Sequence, residues 1–285
     1  MMRDYKGKQG FDRRRDDSRK PDRKQAERRP EPKEPAQNAV RENAVAGRNP
    51  IYELLRSGRT IEKLYVAKDE KPEGSAIKIL AMAREKGVVI VEAGRRKLEE
   101  MCGTSAHQGM VAITTEYRYY TLDDLFAVPE EKGEKPFFIV LDGVSDPGNL
   151  GAILRTADAC GVHGVIVPKR GSCGMTATVI KASAGASEYV RVCKVTNIAE
   201  TISALQKRGV WVYGTSGEAE KEIYDTDLTG AVAIVLGDEG KGISPLVEQR
   251  CDVLMKIPMR GHVNSLNVSV AGAVTLYEAV KQRLK

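Results

Sequence analysis

The chain has 285 residues, 41% of them hydrophobic and 29% charged, with a net charge of +6 and five cysteines. That length suggests two domains, no apolar run approaches the roughly 18–20 residues of a membrane helix, and the charged N-terminus argues against a secretory signal. Five widely spaced cysteines without a Cys-x-x-Cys pair, and three histidines (His107, His163, His262) far apart in sequence, argue for reduced thiols in the cytoplasm and against a disulfide frame or a metal site.

Residues 1–40 hold 13 Lys/Arg against 8 Asp/Glu, so most of the net positive charge sits there. With Tyr5 and Phe11 as its only aromatic residues, this segment cannot bury enough apolar surface to offset its ordering entropy, and a disordered basic tail is expected. It reads either as an arm adding RNA-phosphate contacts or as a solvating tail.

Helix and strand then alternate over 41–116. Asn49 is expected to cap a helix with Pro50 at its first position, running through Ile51–Leu55. Strands are expected at 63–67, 88–91 and 109–114, and helices at 75–86 and 95–101, which together predict a small α/β/α layer domain. Residues 117–136 read as a linker: a short helical piece at 122–127, then the charged, Pro- and Gly-containing run Pro129-Glu-Glu-Lys-Gly-Glu-Lys-Pro136.

The remainder, 137–285, alternates again. Nearly continuous apolar strands are expected at 137–141, 164–167, 189–192, 210–213, 231–236 and 253–257, with helices at about 150–160, 175–184, 198–208, 244–250 and 268–284. Such strands imply a parallel sheet covered on both faces, and ligands on such sheets bind beyond the strands' carboxyl ends. Three strand ends there carry polar loops. After the first comes Asp146-Pro-Gly-Asn-Leu-Gly-Ala-Ile-Leu-Arg-Thr-Ala157, with Asn149 at the start of a helix, Arg155 six residues on, and Gly151 and Ala152 permitting close backbone approach. After the fifth comes Leu236-Gly-Asp-Glu-Gly-Lys-Gly-Ile243, a tight glycine loop able to hold a ligand against backbone. It is neither the dinucleotide fingerprint nor a P-loop. After the sixth comes Ile257-Pro-Met-Arg-Gly-His-Val-Asn-Ser-Leu-Asn-Val-Ser-Val-Ala271, which turns at Gly261 and sets Ser265 and Asn267 at the mouth of a helix.

In this order, the three loops resemble the three motifs of the SpoU (TrmH) ribose methyltransferases of the SPOUT superfamily, over residues 137–285. Gly47-Arg-Asn-Pro50 and His107-Gln-Gly109 resemble the L30e-like substrate-binding domain of the bacterial large-subunit ribosomal RNA guanosine 2′-O-methyltransferases. The resemblance implies an α/β fold whose C-terminal segment threads a trefoil knot, an exception to the no-knot rule. Bent S-adenosylmethionine would sit in that knot, and the chain would be a homodimer through the knotted domain with composite active sites. Ala271, Gly272 and Ala273 are small enough for such threading, and equally suit any close helix packing.

By the same resemblance Asn149, Arg155, Glu239, Ser265 and Asn267 belong to the catalytic site. Thr215, Leu236, Gly237, Ile257, Met259 and Leu266 would hold the cofactor. The implied reaction carries a methyl group from the sulfonium to a ribose 2′-hydroxyl of ribosomal RNA, and needs no metal. Three rivals stay open: a transfer-RNA ribose methyltransferase with the same motifs, a non-catalytic RNA-binding protein, and a nucleotide-dependent oxidoreductase. The absent dinucleotide fingerprint counts against the last.

Overall fold

A computed structural model describes residues 43–69 and 71–284; the basic segment 1–40 lies outside them. The first described elements are β1 (Ala44–Ala46), α1 (Arg48–Ser57), β2 (Ile61–Ala67), α2 (Ser75–Glu85), β3 (Val89–Ala93), α3 (Arg95–Cys102) and β4 (Met110–Thr114). They form a four-stranded sheet of order β1-β4-β2-β3, antiparallel except between β2 and β3. Ile51, Leu54, Ile79 and Leu80 of α1 and α2 belong to one apolar cluster, and Leu98 and Met101 of α3 to another that holds Val111 and Ile113. The expected three-layer arrangement is therefore present.

One strand there was not foreseen and one expectation fails. The three-residue β1 carries too short a pattern to be read as a strand. Asn49 does not cap α1: the cap is Gly47, without a side-chain bond, and Gln108 Oε1 accepts the Arg48 N–H at 2.8 Å. A donor left over by the first turn is thus satisfied from a distant loop, which lets the helix begin before Asn49.

Residues 117–136, expected as a linker, are packed against the next sheet. Tyr120 bridges Cys193 in parallel, and α4 spans Leu122–Lys132 behind a Thr121/Asp124 capping box. The helix continues through Pro129 rather than stopping near Ala127, and ends at the left-handed Gly133. Proline removes one backbone bond, while Leu125, Phe126 and Pro129 are all buried.

The larger sheet follows: β5 (Phe137–Asp142), α5 (Pro147–Ala159), β6 (Gly164–Pro168), α6 (Ala177–Ala182), β7 (Val192–Val195), α7 (Ile198–Lys207), β8 (Trp211–Thr215), β9 (Lys221–Glu222), β10 (Val232–Gly237), α8 (Pro245–Arg250), β11 (Val253–Lys256) and α9 (Val268–Arg283). The order β7-β6-β5-β10-β8-β11-β9 is parallel throughout. Strand alternation assigns the faces. Phe137, Ile139 and Leu141 pack with α5, α6 and α9, whereas Phe138 and Val140 pack with α4, α7 and α8. β7 begins three residues later than its apolar pattern suggests, because Ala186–Glu188 form a 3-10 turn and Val165 pairs with Val192.

The first apolar cluster runs on into the smaller sheet's core, and the contact is also polar. Arg59 pairs with Glu188 at 2.9 Å, their side chains 14% and 4% exposed. Lys181 Nζ donates to Thr104 Oγ1 at 3.2 Å.

His163 pins the start of β5. Its Nδ1 accepts the Phe137 N–H at 3.0 Å, so its Nε2 carries the proton facing Glu134 Oε2 at 2.8 Å. Burial pushes its pKa below the ordinary value, against the upward pull of Glu134. A depressed folded-state pKa means that the unfolded chain binds the proton more tightly. This stabilisation is therefore complete above the unfolded imidazole value of about 6.5 and is lost as pH falls through the folded one. Thermal melts should show the midpoint falling from pH 7 to pH 5. His163→Leu strands the Phe137 N–H, should cost about 1–3 kcal/mol at pH 7, and should flatten that dependence; an unchanged slope would remove His163 as its source.

Candidate active site

Three loops meet beyond the carboxyl ends of β5, β10 and β11. The β5 loop is shaped by its cap: Asp146 Oδ1 accepts the Asn149 N–H at 2.8 Å, with Pro147 in the first turn. That places Asn149 at the mouth of α5. The β10 loop closes on itself, with Asp238 and Gly242 exchanging backbone bonds of 3.0 and 2.9 Å. Asp238 Oδ1 takes the N–H groups of Gly240 and Lys241 at 3.0 and 3.2 Å, so Glu239 is held at the tip. Asp142 Oδ2 accepts from both the N–H and Oγ–H of Ser244 at 2.7 Å, which ties the end of β5 to the far side of this loop.

The third loop ends at Asn267, the cap of α9. Its Oδ1 accepts the N–H groups of Ser269 and Val270 at 3.0 and 3.4 Å, which turns its Nδ2 outward. That nitrogen donates to Asn149 Oδ1 at 3.0 Å and to Glu239 Oε1, and Asn149 Nδ2 donates to Glu239 Oε1 at 2.9 Å. One polar group from each loop therefore joins a single cluster, in which two amides hold one carboxylate oxygen.

Beside the cluster lies a cleft of about 740 Å3. Thr215, Leu236, Gly237, Ile257, Met259 and Leu266 all line it, as do Glu239 and Ser265. No backbone group of residues 258–266 pairs with another backbone group among the described residues. A segment with this many unpaired amides and carbonyls must satisfy them with water or a ligand.

Arg155 is different. It is exposed, does not line the cleft, and forms no hydrogen bond or ion pair among the described residues. Six residues of helix separate it from Asn149 by about 9 Å along the axis and about 120° around it. The two are not brought together within one chain. Gly151 also serves another purpose than close approach to a ligand: an added Cβ would stand 2.3 Å from that of Ala182, so this glycine lets α5 lie against α6.

Glu222, Arg260 and Asn264 line the cleft without having been singled out from the sequence, and Asp142 fastens it. Glu222 sits on the two-residue β9, which has no readable pattern; Asp142 at a strand end was visible, but its partner was not. Among the described residues, no group of His, Cys, Asp and Glu could hold a metal ion. A second recess, of about 460 Å3, lies in the smaller domain among Arg48, Asn49, Ser75, Arg95 and Gln108.

Comparisons with known proteins bear on both regions. Residues 136–277 match the SpoU rRNA Methylase family, and residues 44–120 match the RNA 2′-O ribose methyltransferase substrate-binding family. A relative from Shewanella oneidensis, named 23S rRNA (guanosine-2′-O-)-methyltransferase RlmB, is 43% identical over 85% of this chain and 98% of its own length. A Bacillus subtilis relative, YacO, named for the TrmH family of tRNA/rRNA methyltransferases, is 45% identical over 84% of this chain and 95% of its own. Among solved structures, the SpoU methyltransferase AviRb from Streptomyces viridochromogenes, in complex with AdoMet, superimposes with a TM-score of 0.73. It is 26% identical, and the match covers 85% of this chain and 90% of that one.

Proposed function

Since this chain belongs to the SpoU rRNA methylase family, we propose that it transfers a methyl group from S-adenosylmethionine to a ribose 2′-hydroxyl, that of a guanosine in large-subunit ribosomal RNA. The observation that carries this reading is the cluster of Asn149, Glu239 and Asn267 opening onto the cleft. The cleft suits an adenosyl ligand. Leu236, Ile257, Met259 and Leu266 offer apolar walls, and the unpaired backbone of 258–266 offers donors and acceptors for a base edge. With Thr215 and Gly237 they form the proposed cofactor set.

Bound S-adenosylmethionine supplies a methyl group already activated on its sulfonium, so the chain's own task is alignment and charge. Asn149 and Asn267 fix the Glu239 carboxylate, and Ser265 adds a hydroxyl at the cleft wall. Together they position the ribose so that its 2′-oxygen can lose a proton as the new bond forms. Guanidinium stays protonated in proteins; Arg155 therefore orients a substrate phosphate and stabilises developing charge on that oxygen, and the phosphate or water takes the proton. Because Arg155 stands apart from the cluster of its own chain, it would serve the partner subunit's site in a homodimer. Val270 and Tyr277 on α9 and Leu284 just after it recur every seven residues, 47%, 54% and 82% exposed, and are a fitting face for that pairing.

The domain division follows the same reading: 41–116 as the L30e-like substrate domain, 117–136 as a connection, 137–285 as the methyltransferase domain with its trefoil knot, and 1–40 as a basic tail. The recess with Arg48 and Arg95 supports RNA binding by the smaller domain. No helix among the described residues is long and apolar enough to cross a membrane, which fits work on ribosomal RNA in the cytoplasm. Transfer RNA is the second reading, favoured by the tRNA/rRNA description of the Bacillus relative; the separate small domain weighs toward ribosomal RNA.

Calorimetry in EDTA should show one S-adenosylmethionine site per chain. Folded protein that binds none would overturn the cofactor assignment. Mapping 2′-O-methyl groups in RNA from cells lacking the chain should reveal one missing ribosomal guanosine; a missing transfer-RNA site would select the second reading.

A further inference from the structure

Beyond the cluster and its cleft, we infer that Lys169, Arg170 and Lys194 form a phosphate-binding track for the substrate RNA, continuing from the β5 loop across the ends of β6 and β7. The inference rests on the reading of this chain as an RNA methyltransferase.

Strand register brings two of the cations together. Val167 of β6 pairs with Lys194 of β7, and the ladder runs on through a 2.7 Å bond from Lys169 N–H to Val195 O. Residues paired across a parallel ladder face the same way, and so do residues two apart along one strand. Lys194 and Lys169 therefore rise from one face of the sheet, at the carboxyl edge where ligands of such sheets bind. Arg170 follows in the exposed turn.

That turn is fastened to the catalytic loop rather than hanging free of it. Ser172 Oγ donates to Pro168 O at 2.9 Å, and Cys173 N–H donates to Val144 O at 3.3 Å. Val144 lies five residues before Asn149. The cations thus hold a set position relative to the atoms that do the chemistry.

Their surroundings suit a polyanion. None of the three forms an ion pair with a carboxylate among the described residues. Lys194 Nζ lies 4.7 Å from the centre of the Tyr119 ring, and Tyr119 is itself anchored by accepting the Met175 N–H at 2.8 Å. Clustered cations beside an aromatic ring are what a flexible RNA strand contacts, through phosphates and stacking. An acidic peptide would match the charge but would leave the ring and the neighbouring ribose chemistry without a purpose.

The test is binding of the intact chain to a fluorescent fragment of unmodified large-subunit ribosomal RNA, measured over a range of salt. K169Q/R170Q/K194Q should reduce the slope of log affinity against log salt by about two to three, since each phosphate contact contributes roughly 0.7–0.9. The apparent KM for RNA should rise about tenfold or more, with turnover at saturating RNA and S-adenosylmethionine affinity unchanged. K207Q removes an exposed charge on α7, which covers the opposite face of the sheet; it should leave the slope alone. An unchanged slope in the triple variant, or an equal loss per charge in K207Q, overturns the track. If the wild-type chain binds this RNA and the cofactor but transfers no methyl group, the enzyme reading fails, and the salt slopes still decide the track.

Discussion

Arg155→Ala should lower turnover by about two to three decades while leaving S-adenosylmethionine affinity nearly unchanged. A charge-assisted contact made mainly in the transition state typically contributes about 3–4 kcal/mol, which sets that scale. The expectation of intact affinity follows from geometry: Arg155 is exposed on α5, lines no part of the cleft, and touches none of its walls through a hydrogen bond. Arg155→Lys keeps the charge but loses the planar fork, and should stay badly impaired if phosphate is gripped at two points. The placement also makes the dimer testable. Arg155→Ala and Glu239→Gln, each inactive alone, should recover about a quarter of wild-type activity when co-expressed, since half of the dimers would be mixed and each would hold one intact site. No recovery would return Arg155 to its own chain's site. Near wild-type turnover in Arg155→Ala would leave the arginine a solvated surface residue, and loss of cofactor binding would make it part of the fold's architecture.

Gly237→Val should weaken S-adenosylmethionine binding by about two decades and lower the melting temperature with it. The cause lies inside the protein. A Cβ at residue 237 would stand 2.1 Å from Gly242 C and 2.2 Å from Ile243 N, so the loop that carries Glu239 could not fold back onto the strand end. Overpacking commonly costs 1–3 kcal/mol, and here the obstacle is backbone, which cannot swing aside, so about 3 kcal/mol is a fair scale. Gly237 lines the cleft through its backbone, while the space a side chain would need is taken by the loop's own main chain. Gly217→Val is the contrast. It lines the same cleft, but its added Cβ meets nothing within 4 Å. It should weaken the cofactor by crowding alone, at an unchanged melting temperature. Equal destabilisation by both variants would refute this distinction.

Residue patterns alone determined the class of the fold and pointed to the region of the candidate site. Apolar strands alternating with helices can only be buried on both faces, and that requires a parallel sheet whose carboxyl edge is left for ligands. The three loops that interrupt this pattern with glycine, asparagine and carboxylate were visible for the same reason: they spend residues on polar chemistry where a strand or helix would bury apolar ones. The six residues that the family resemblance assigned to the cofactor all line one cleft: Thr215, Leu236, Gly237, Ile257 and Met259 lie at or within three residues of a strand end, and Leu266 lies just before α9. What the tertiary structure decided is everything that depends on partners far apart in the chain. Asn267 and Asn149 reach Glu239 across 28 and 90 positions, Asp142 reaches Ser244 across 102, and Gln108, not Asn49, satisfies the first donor of α1 across 60. The separation of Arg155 from the cluster, the packing of α4 through Pro129 and the existence of the short β1 and β9 belong with these. Periodicity and capping rules describe neighbours along the chain, whereas each of these outcomes was set by which surfaces the folded sheets pressed together.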